Sequence, residues 1–490
     1  MFSRLRSLLF FNRSTRQTVV KNIFWLGVSQ IGSRLIRAVI IIYAARVLGA
    51  AEYGVFSYVL GFAGFFTIFA DIGITPLLTR EIASTPDPHT RLRYFSTSFW
   101  LKLILLFFTA LLIIFVAPHL TNIEAAALLI PLVALLTIFD GLRELAIAYV
   151  RGREKMEWEA AITTFMNIAI MVAGILILQF YVTAHALLLS YIASVGAALI
   201  FSIILLRKEF ASIFHKIDFV LARRILSSSW PIAFYGVLGA FMLNTDVIML
   251  GWWRTSEEIG YYSASQRIIQ VFYTIPALLA SGLFPFLARL IAQGDLLKAR
   301  SLHERSITLA LSLAIPLVIG GIILASPLVA LLYGAEYLPA APSLQILLIT
   351  LLFIFPGILL GNIILAHNKQ RETILYIGLG AIGNIVFNFF FIPLYGIVGA
   401  AIATIIAQVL NTGLTWRKVK QLNNFTTLPH IQKITAAAVI MGSWTYFLNL
   451  FSVNVFLIIS TSILVYVGLL FIFREKIINE VKDILRPLRQ

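Results

Sequence analysis

The chain has 490 residues, 60% of them hydrophobic and 12% charged, with a formal net charge of +16 and no cysteine. A soluble domain carries about 25% charged residues, so this chain cannot cover itself with polar surface and lipid must be its solvent. The absence of cysteine excludes disulfides, thiolate metal sites and cysteine nucleophiles.

A span needs roughly 20 mostly apolar residues to cross about 30 Å of hydrocarbon. Runs of that kind predict helices at 22–48, 53–76, 96–117, 125–149, 158–180 and 184–206. They continue at 226–252, 260–288, 306–332, 341–366, 372–392 and 396–416, and two more lie at 433–450 and 454–473. The expectation is an all-α polytopic membrane protein of about fourteen transmembrane helices. The first run is too long for a signal peptide, and no small-residue cleavage site follows it.

The connections test this count. Of the 38 Lys and Arg, 31 fall in the N-terminus, alternate connecting loops and the C-terminus, one (Arg254) falls in the intervening loops, and six lie within spans. A miscounted helix would invert that bias partway along the chain, and it never inverts. By the positive-inside rule both termini are expected in the cytoplasm, in the cell (inner) membrane. The +16 is therefore a topology signal and an attraction to anionic headgroups, and nucleic acid is not expected as a partner. The opposite connections, such as Gly49–Glu52, Pro118–Glu124 and Pro393–Tyr395, are too short for a catalytic domain. Arg207–Arg224 is basic and mildly amphipathic, and is expected at the headgroup surface.

The chain also echoes itself. Leu48-Gly49 before Tyr53-Gly54 has a counterpart in Leu250-Gly251 before Gly260-Tyr261-Tyr262, and Gly152–Met156 has one in His367–Arg371. The offset equals six helices, which predicts two halves of one orientation related by an axis along the membrane normal, as in some secondary transporters. The expected divisions are a six-helix lobe over 1–210, a second over 211–425, and a helix pair with a basic tail over 426–490.

Several stretches resemble the Wzx-like lipid-linked oligosaccharide flippases of the multidrug/oligosaccharidyl-lipid/polysaccharide exporter superfamily. They are Arg46–Gly49 with Tyr53-Gly54, Asp71–Gly73 before Thr79–Glu81, Gly152–Met156, and Asp246 before Leu250-Gly251. Gly260–Tyr262 with Arg267, Leu332–Gly334 with Tyr337, and Tyr395–Ala401 complete the set. The resemblance implies two six-helix lobes in a V shape. It also implies transfer of a polyprenyl-diphosphate-linked oligosaccharide between leaflets by alternating access, for O-antigen, capsule or exopolysaccharide synthesis. Membrane lipids, and a polysaccharide polymerase with its chain-length machinery, are the expected partners of a monomeric transport unit.

Such a cargo needs cations for its diphosphate and a wet path for its sugars. Charged side chains inside spans cost about 2.5–3.5 kcal/mol by insertion scales, so each needs a reason. Arg34 and Arg37 lie one turn apart on one face of the first helix, and paired guanidinium forks suit phosphate. Snorkelling, or pairing with Asp71 near the end of the second span, is the structural alternative. Asp246 and Arg267 form a second candidate pair near the opposite face. Asp140 and Arg143, three residues apart, are expected to satisfy each other, although Asp140 lies deep enough to carry a proton. Glu144 is read as structural, and Lys102 as a snorkelling residue. Asn244, Gln270 and Asn388, with Asn167, Asn362 and Asn384, could bind sugar hydroxyls or neighbouring helices. The candidate binding set is thus Arg34, Arg37, Arg267, Asn244, Gln270 and Asn388, and the gating or ion-coupling set is Asp71, Asp140 and Asp246.

No P-loop is present and no metal-ligand spacing occurs. Neither a cofactor nor a resident metal is expected, and the energy source is an ion gradient (H+ or Na+), the membrane potential or the cargo's own gradient. A glycosyltransferase or polymerase would need carboxylates or histidines on a sizeable outer loop. An ion-coupled multidrug exporter is the nearer rival. The in-span charges, six basic against four acidic (Asp71, Asp140, Glu144, Asp246), lean towards an anionic cargo.

Overall fold

The computed structural model describes residues 15–211, 213, 218–367, 369–426 and 428–473. Every regular element among them is helical, and eleven stretches are long and apolar enough to cross a bilayer. The chain is a multi-pass membrane protein. It forms two compact units, Met1–Gly260 and Tyr261–Gln490.

The first unit opens with α1, Thr15–Asp71, which is two helices joined at Gly49. That residue has φ 71° and ψ 173°, angles that an L side chain would resist and glycine accepts. Ile72 (φ 36°) and Gly73 (φ 80°) then break the chain before the 11-residue α2, Ile74–Ser84. Next come α3 (Pro88–Phe115), α4 (Glu124–Gly152), α5 (Met156–Leu178), α6 (Ala184–Leu205), the short α7 (Arg207–Ala211) and α8 (Phe219–Trp253). Local signals start these helices. Asp87 accepts from the amides of His89 and Thr90 ahead of α3, and Thr90 holds its exposed carboxyl below the usual carboxylate range. Asp218 caps α8 through the Leu221 amide. The Glu52 carboxylate reaches across to the Ala184 amide at 2.6 Å, placing negative charge at the start of α6.

Lipid offers no hydrophobic drive between helices, so they associate by close packing. Ile74, Leu77, Leu78 and Ile82 of α2 pack with Tyr94, Phe95, Phe99, Leu145 and Tyr149 in one buried cluster. The second limb of α1 receives α8 along its glycines. Val247 lies 3.3 Å from where a Cβ on Gly61 would stand, and Asn244 lies 3.0 Å from one on Gly64. Helix α8 thereby belongs to the first compact unit, which ends at Gly260.

Helix α9, Ser256–Phe272, begins at the end of the first unit and continues into the second. There follow α10 (Thr274–Ala292), α11 (Leu296–Tyr333), α12 (Ala341–Ile349), α13 (Leu351–Ala366), α14 (Gln370–Asn423), α15 (Leu428–Leu450) and α16 (Val455–Ile472). Like α1, α14 is two helices merged at a glycine, Gly396, with φ 58° and ψ −133°. Helices α11, α13 and α15 share a core that includes Ile307, Leu360, Ile364, Ala437 and Met441. The Tyr466 hydroxyl of α16 donates to the Ser312 carbonyl at 2.7 Å.

Several helices extend beyond the sequence reading, and three of those extensions bear on the charges. The first helix starts at Thr15, not 22; the second span runs through its break to Ser84, not 76; and the third starts at Pro88, not 96. Each extension is a polar, helix-competent stretch that a hydropathy window discounts.

Candidate functional site

These extensions change where the charges sit. Arg34 and Arg37 lie well inside the first limb of α1, and both are exposed. Arg37 Nε donates to Asn167 Oδ1 at 3.2 Å. The Asn167 amide nitrogen is occupied by the Thr163 carbonyl at 2.7 Å, which fixes its oxygen towards the arginine. Asn167 itself is buried. The guanidinium thus rests on a neutral amide, with no ion pair to a carboxylate among the described residues.

The sequence suggested Arg34 or Arg37 as a partner for Asp71. The structure gives Asp71 to Lys102, with Thr75 donating to the same carboxylate oxygen through both its hydroxyl and its amide (3.4 Å for the amide). Lys102 Nζ also reaches Thr75 Oγ1 at 3.3 Å. The reading of Lys102 as a snorkelling side chain is therefore corrected: it is 2% exposed and sits near the centre of the 28-residue α3. A buried ammonium needs a counterion, and the break after Asp71 delivers one.

A second ionic group lies on α4. Arg143 Nη2 meets Asp140 Oδ1 at 2.7 Å and Glu144 Oε1 at 2.5 Å, so two carboxylates converge on one guanidinium nitrogen. Arg143 is 4% exposed, while its partners are about a third open. Gly141 packs against Leu106 of α3, and Ala148 accepts from Thr79 of α2 at 3.2 Å. The two ionic groups therefore occupy adjacent helices at closely similar depth. The i,i+3 spacing pairs Asp140 with Arg143, and Glu144 joins the same guanidinium beside them.

The ends of the same helices carry further ion pairs. Lys21 meets Glu157 at 2.8 Å, Arg151 meets Glu159 at 2.6 Å, Arg153 meets Glu209 at 2.8 Å, and Arg93 meets Asp218. They fasten the loop-side ends of α1, α3, α4, α5, α7 and α8, and no periodicity in the sequence announces them.

The remaining candidates are distributed over both units. Asp246 is 1% exposed on α8. Asn244, two residues before it, donates to the Ala240 carbonyl one turn back at 3.1 Å. In the second unit, Arg267 Nη1 donates to Gln270 Oε1 at 3.1 Å on the same face of α9. Asn388 donates to Asn384 Oδ1 at 3.1 Å, and both are buried in α14. No group of three His, Cys, Asp or Glu side chains could hold a metal among the described residues.

Comparison with known proteins gives this arrangement a context. The family model described as polysaccharide biosynthesis protein matches residues 19–291, more than half of the chain, and a MatE model matches residues 231–390. The probable low-salt glycan biosynthesis flippase Agl15 of Haloferax volcanii is 25% identical over 406 residues, covering 82% of each chain. The capsular polysaccharide biosynthesis protein CapF of Staphylococcus aureus is 23% identical over 396 residues, covering 80% of this chain and 96% of its own. In fold, the inward closed conformation of the lipid II flippase MurJ matches with a TM-score of 0.77 at 18% identity, over 93% of this chain and all of that one. The helices, the buried charges and the matched residues lead to one assignment: this chain belongs to the polysaccharide biosynthesis protein family.

Proposed function

We propose that the protein is a flippase for a polyprenyl-diphosphate-linked oligosaccharide, carrying it from the cytoplasmic to the outer leaflet by alternating access. The observation that carries this reading is Arg37, an exposed guanidinium deep in an apolar helix and held by the neutral oxygen of Asn167. A charge in that position is costly unless it meets water or an anion. The Asn167 amide orients the fork without neutralising it, so a diphosphate can take the bond over. Arg34, one turn away on the same helix, extends the cationic face. The names of the flippase and capsule-synthesis relatives support the same cargo class. The MatE match favours an exporter as second reading, but the polysaccharide model matches the longer stretch.

In the same reading both termini face the cytoplasm of an inner-membrane protein with fourteen crossings. The kinked stretches at Gly49 and Gly396 each cross twice, and Leu428–Leu450 adds the one outside the eleven. Arg267 with Gln270, together with Asn244 and Asn388, supplies polar contacts for the sugars. Asp140 and Asp246 are the candidates for coupling to H+ or Na+. The unit works as a monomer alongside a polymerase and its chain-length machinery.

The test is transfer of a fluorescent polyprenyl-diphosphate oligosaccharide across proteoliposomes. A charge-assisted hydrogen bond contributes about 1.5–3 kcal/mol, and about 1.4 kcal/mol is tenfold. Arg37→Gln should therefore slow transfer at least about tenfold, with Arg37→Lys in between. Unaltered transfer in Arg37→Gln removes the observation on which the reading rests.

A further inference from the structure

The second span is broken after Asp71, and the break is held by charge. Asp71 ends α1, and Ile72 and Gly73 both adopt left-handed angles before α2 begins. At Gly73 such a φ costs little, but Ile72 is β-branched, and a positive φ there is strained. Strain of that kind persists only where its surroundings impose it. Here the imposing contacts all converge on one carboxylate oxygen, Asp71 Oδ1: the Lys102 ammonium, the Thr75 hydroxyl and the Thr75 amide. One acidic side chain thus ties together α1, α2 and α3.

The ion pair is also lopsided. Lys102 is sealed at 2% exposure, whereas Asp71 is 24% exposed. A carboxylate is not left against hydrocarbon, so its open side faces water. Anything that competes for Lys102 must arrive from that side and displace Asp71, and only an anion can replace it without stranding a buried ammonium.

We propose that Lys102 is a second cation for the cargo's diphosphate, reached by exchange with Asp71, and that this exchange releases the break in the second span. The proposal rests on the flippase reading given above. With the carboxylate displaced, Thr75 loses the acceptor that sets the left-handed pair, and Ile72 relaxes towards the helical region. Segments α1 and α2 then approach a continuous helix, and cargo binding is converted into a change of length along one span. Arg37 offers the first contact; Lys102 offers the one that moves the protein.

The absence of cysteine allows spin labels to be placed without background. Ala51→Cys and Ala83→Cys, both exposed, bracket the break. The probe is a polyprenyl diphosphate without sugar, added to the reconstituted full chain, and the reading is the electron–electron distance. The distance should lengthen when the probe binds. Asp71→Asn should show the long distance without probe, and Lys102→Gln should bind the probe without responding to it. Ile72→Gly, which tolerates the left-handed angle, should hold the short distance and respond less. Should a single variant fail to fold, the double variant Asp71→Asn/Lys102→Met, free of both charges, carries the same expectation of a long distance without probe. An Asp71→Asn or double variant with the wild-type distance overturns the proposal, as does a Lys102→Gln variant that responds like wild type. Wild type that binds no probe overturns the flippase reading instead, and the Asp71→Asn distance still decides whether Asp71 holds the break.

Discussion

Replacing Arg143 with Met should destabilise the protein by about 3 kcal/mol, one of the two largest losses expected from a single change. Removing one partner of a buried ion pair costs about 3–5 kcal/mol, because the other charge is left without compensation. Arg143 is 4% exposed and serves two carboxylates, Asp140 at 2.7 Å and Glu144 at 2.5 Å. Those carboxylates are about a third open, so water absorbs part of the loss and the lower end of the range applies. The measurement is thermal unfolding in detergent, followed by tryptophan fluorescence. The companion variant Asp140→Asn/Arg143→Met/Glu144→Gln removes all three charges and should recover most of the stability. If the triple variant is no more stable than Arg143→Met, the loss lies in packing and not in stranded charge.

The other large effect concerns backbone contact. A Cβ on Gly54 would overlap the carbonyl oxygen of Ser256 and lie 2.8 Å from the Gly260 amide nitrogen, and a Cβ on Gly260 would overlap the carbonyl oxygen of Ala50. Both obstructions are main chain, which cannot rotate away as a side chain can. Overpacking typically costs about 1–3 kcal/mol, and the upper end is expected here because two helical backbones must separate. Gly54→Ala should therefore lower the unfolding midpoint clearly, whereas Gly236→Ala should not, since no atom lies within 4 Å of a Cβ built there. Equal midpoints for the two variants would mean that α1 and α9 do not meet as described. Nearby, Tyr58 is buried and its ring would meet a Cβ on Gly251, so this seam has no spare volume along its length.

Hydropathy made the helices legible because lipid as solvent leaves the chain few options. Each backbone amide and carbonyl in hydrocarbon must be satisfied within the chain, so apolar runs of the right length become helices. The same window erased what lay beside those runs. Thr15–Lys21 and Pro88–Phe95 are polar but helical, and leaving them out moved Arg37 and Lys102 towards the ends of their spans on paper. Lys102 then looked able to reach a headgroup, and Asp71 looked terminal. With the helices at full length Lys102 lies near the middle of α3, and it meets Asp71 where the second span breaks. The break at Ile72-Gly73 left little trace: Gly73 is an ordinary signal, but a left-handed isoleucine follows from tertiary contacts that no local pattern contains. The i,i+3 spacing of Asp140 and Arg143 was readable because helix geometry fixes it. Pairs between helices, such as Lys21 with Glu157 or Arg37 with Asn167, depend on which faces meet, and one sequence does not record that.

The most direct measurement is to delete the protein in its own cell and determine which leaflet holds the polyprenyl-diphosphate oligosaccharide. The flippase account predicts that this lipid accumulates in the cytoplasmic leaflet, that the wild-type chain restores its appearance outside, and that Arg37→Gln does so poorly. An unchanged leaflet distribution, with resistance to cationic drugs lost instead, would contradict the account and assign the exposed guanidinium of the first helix to another cargo.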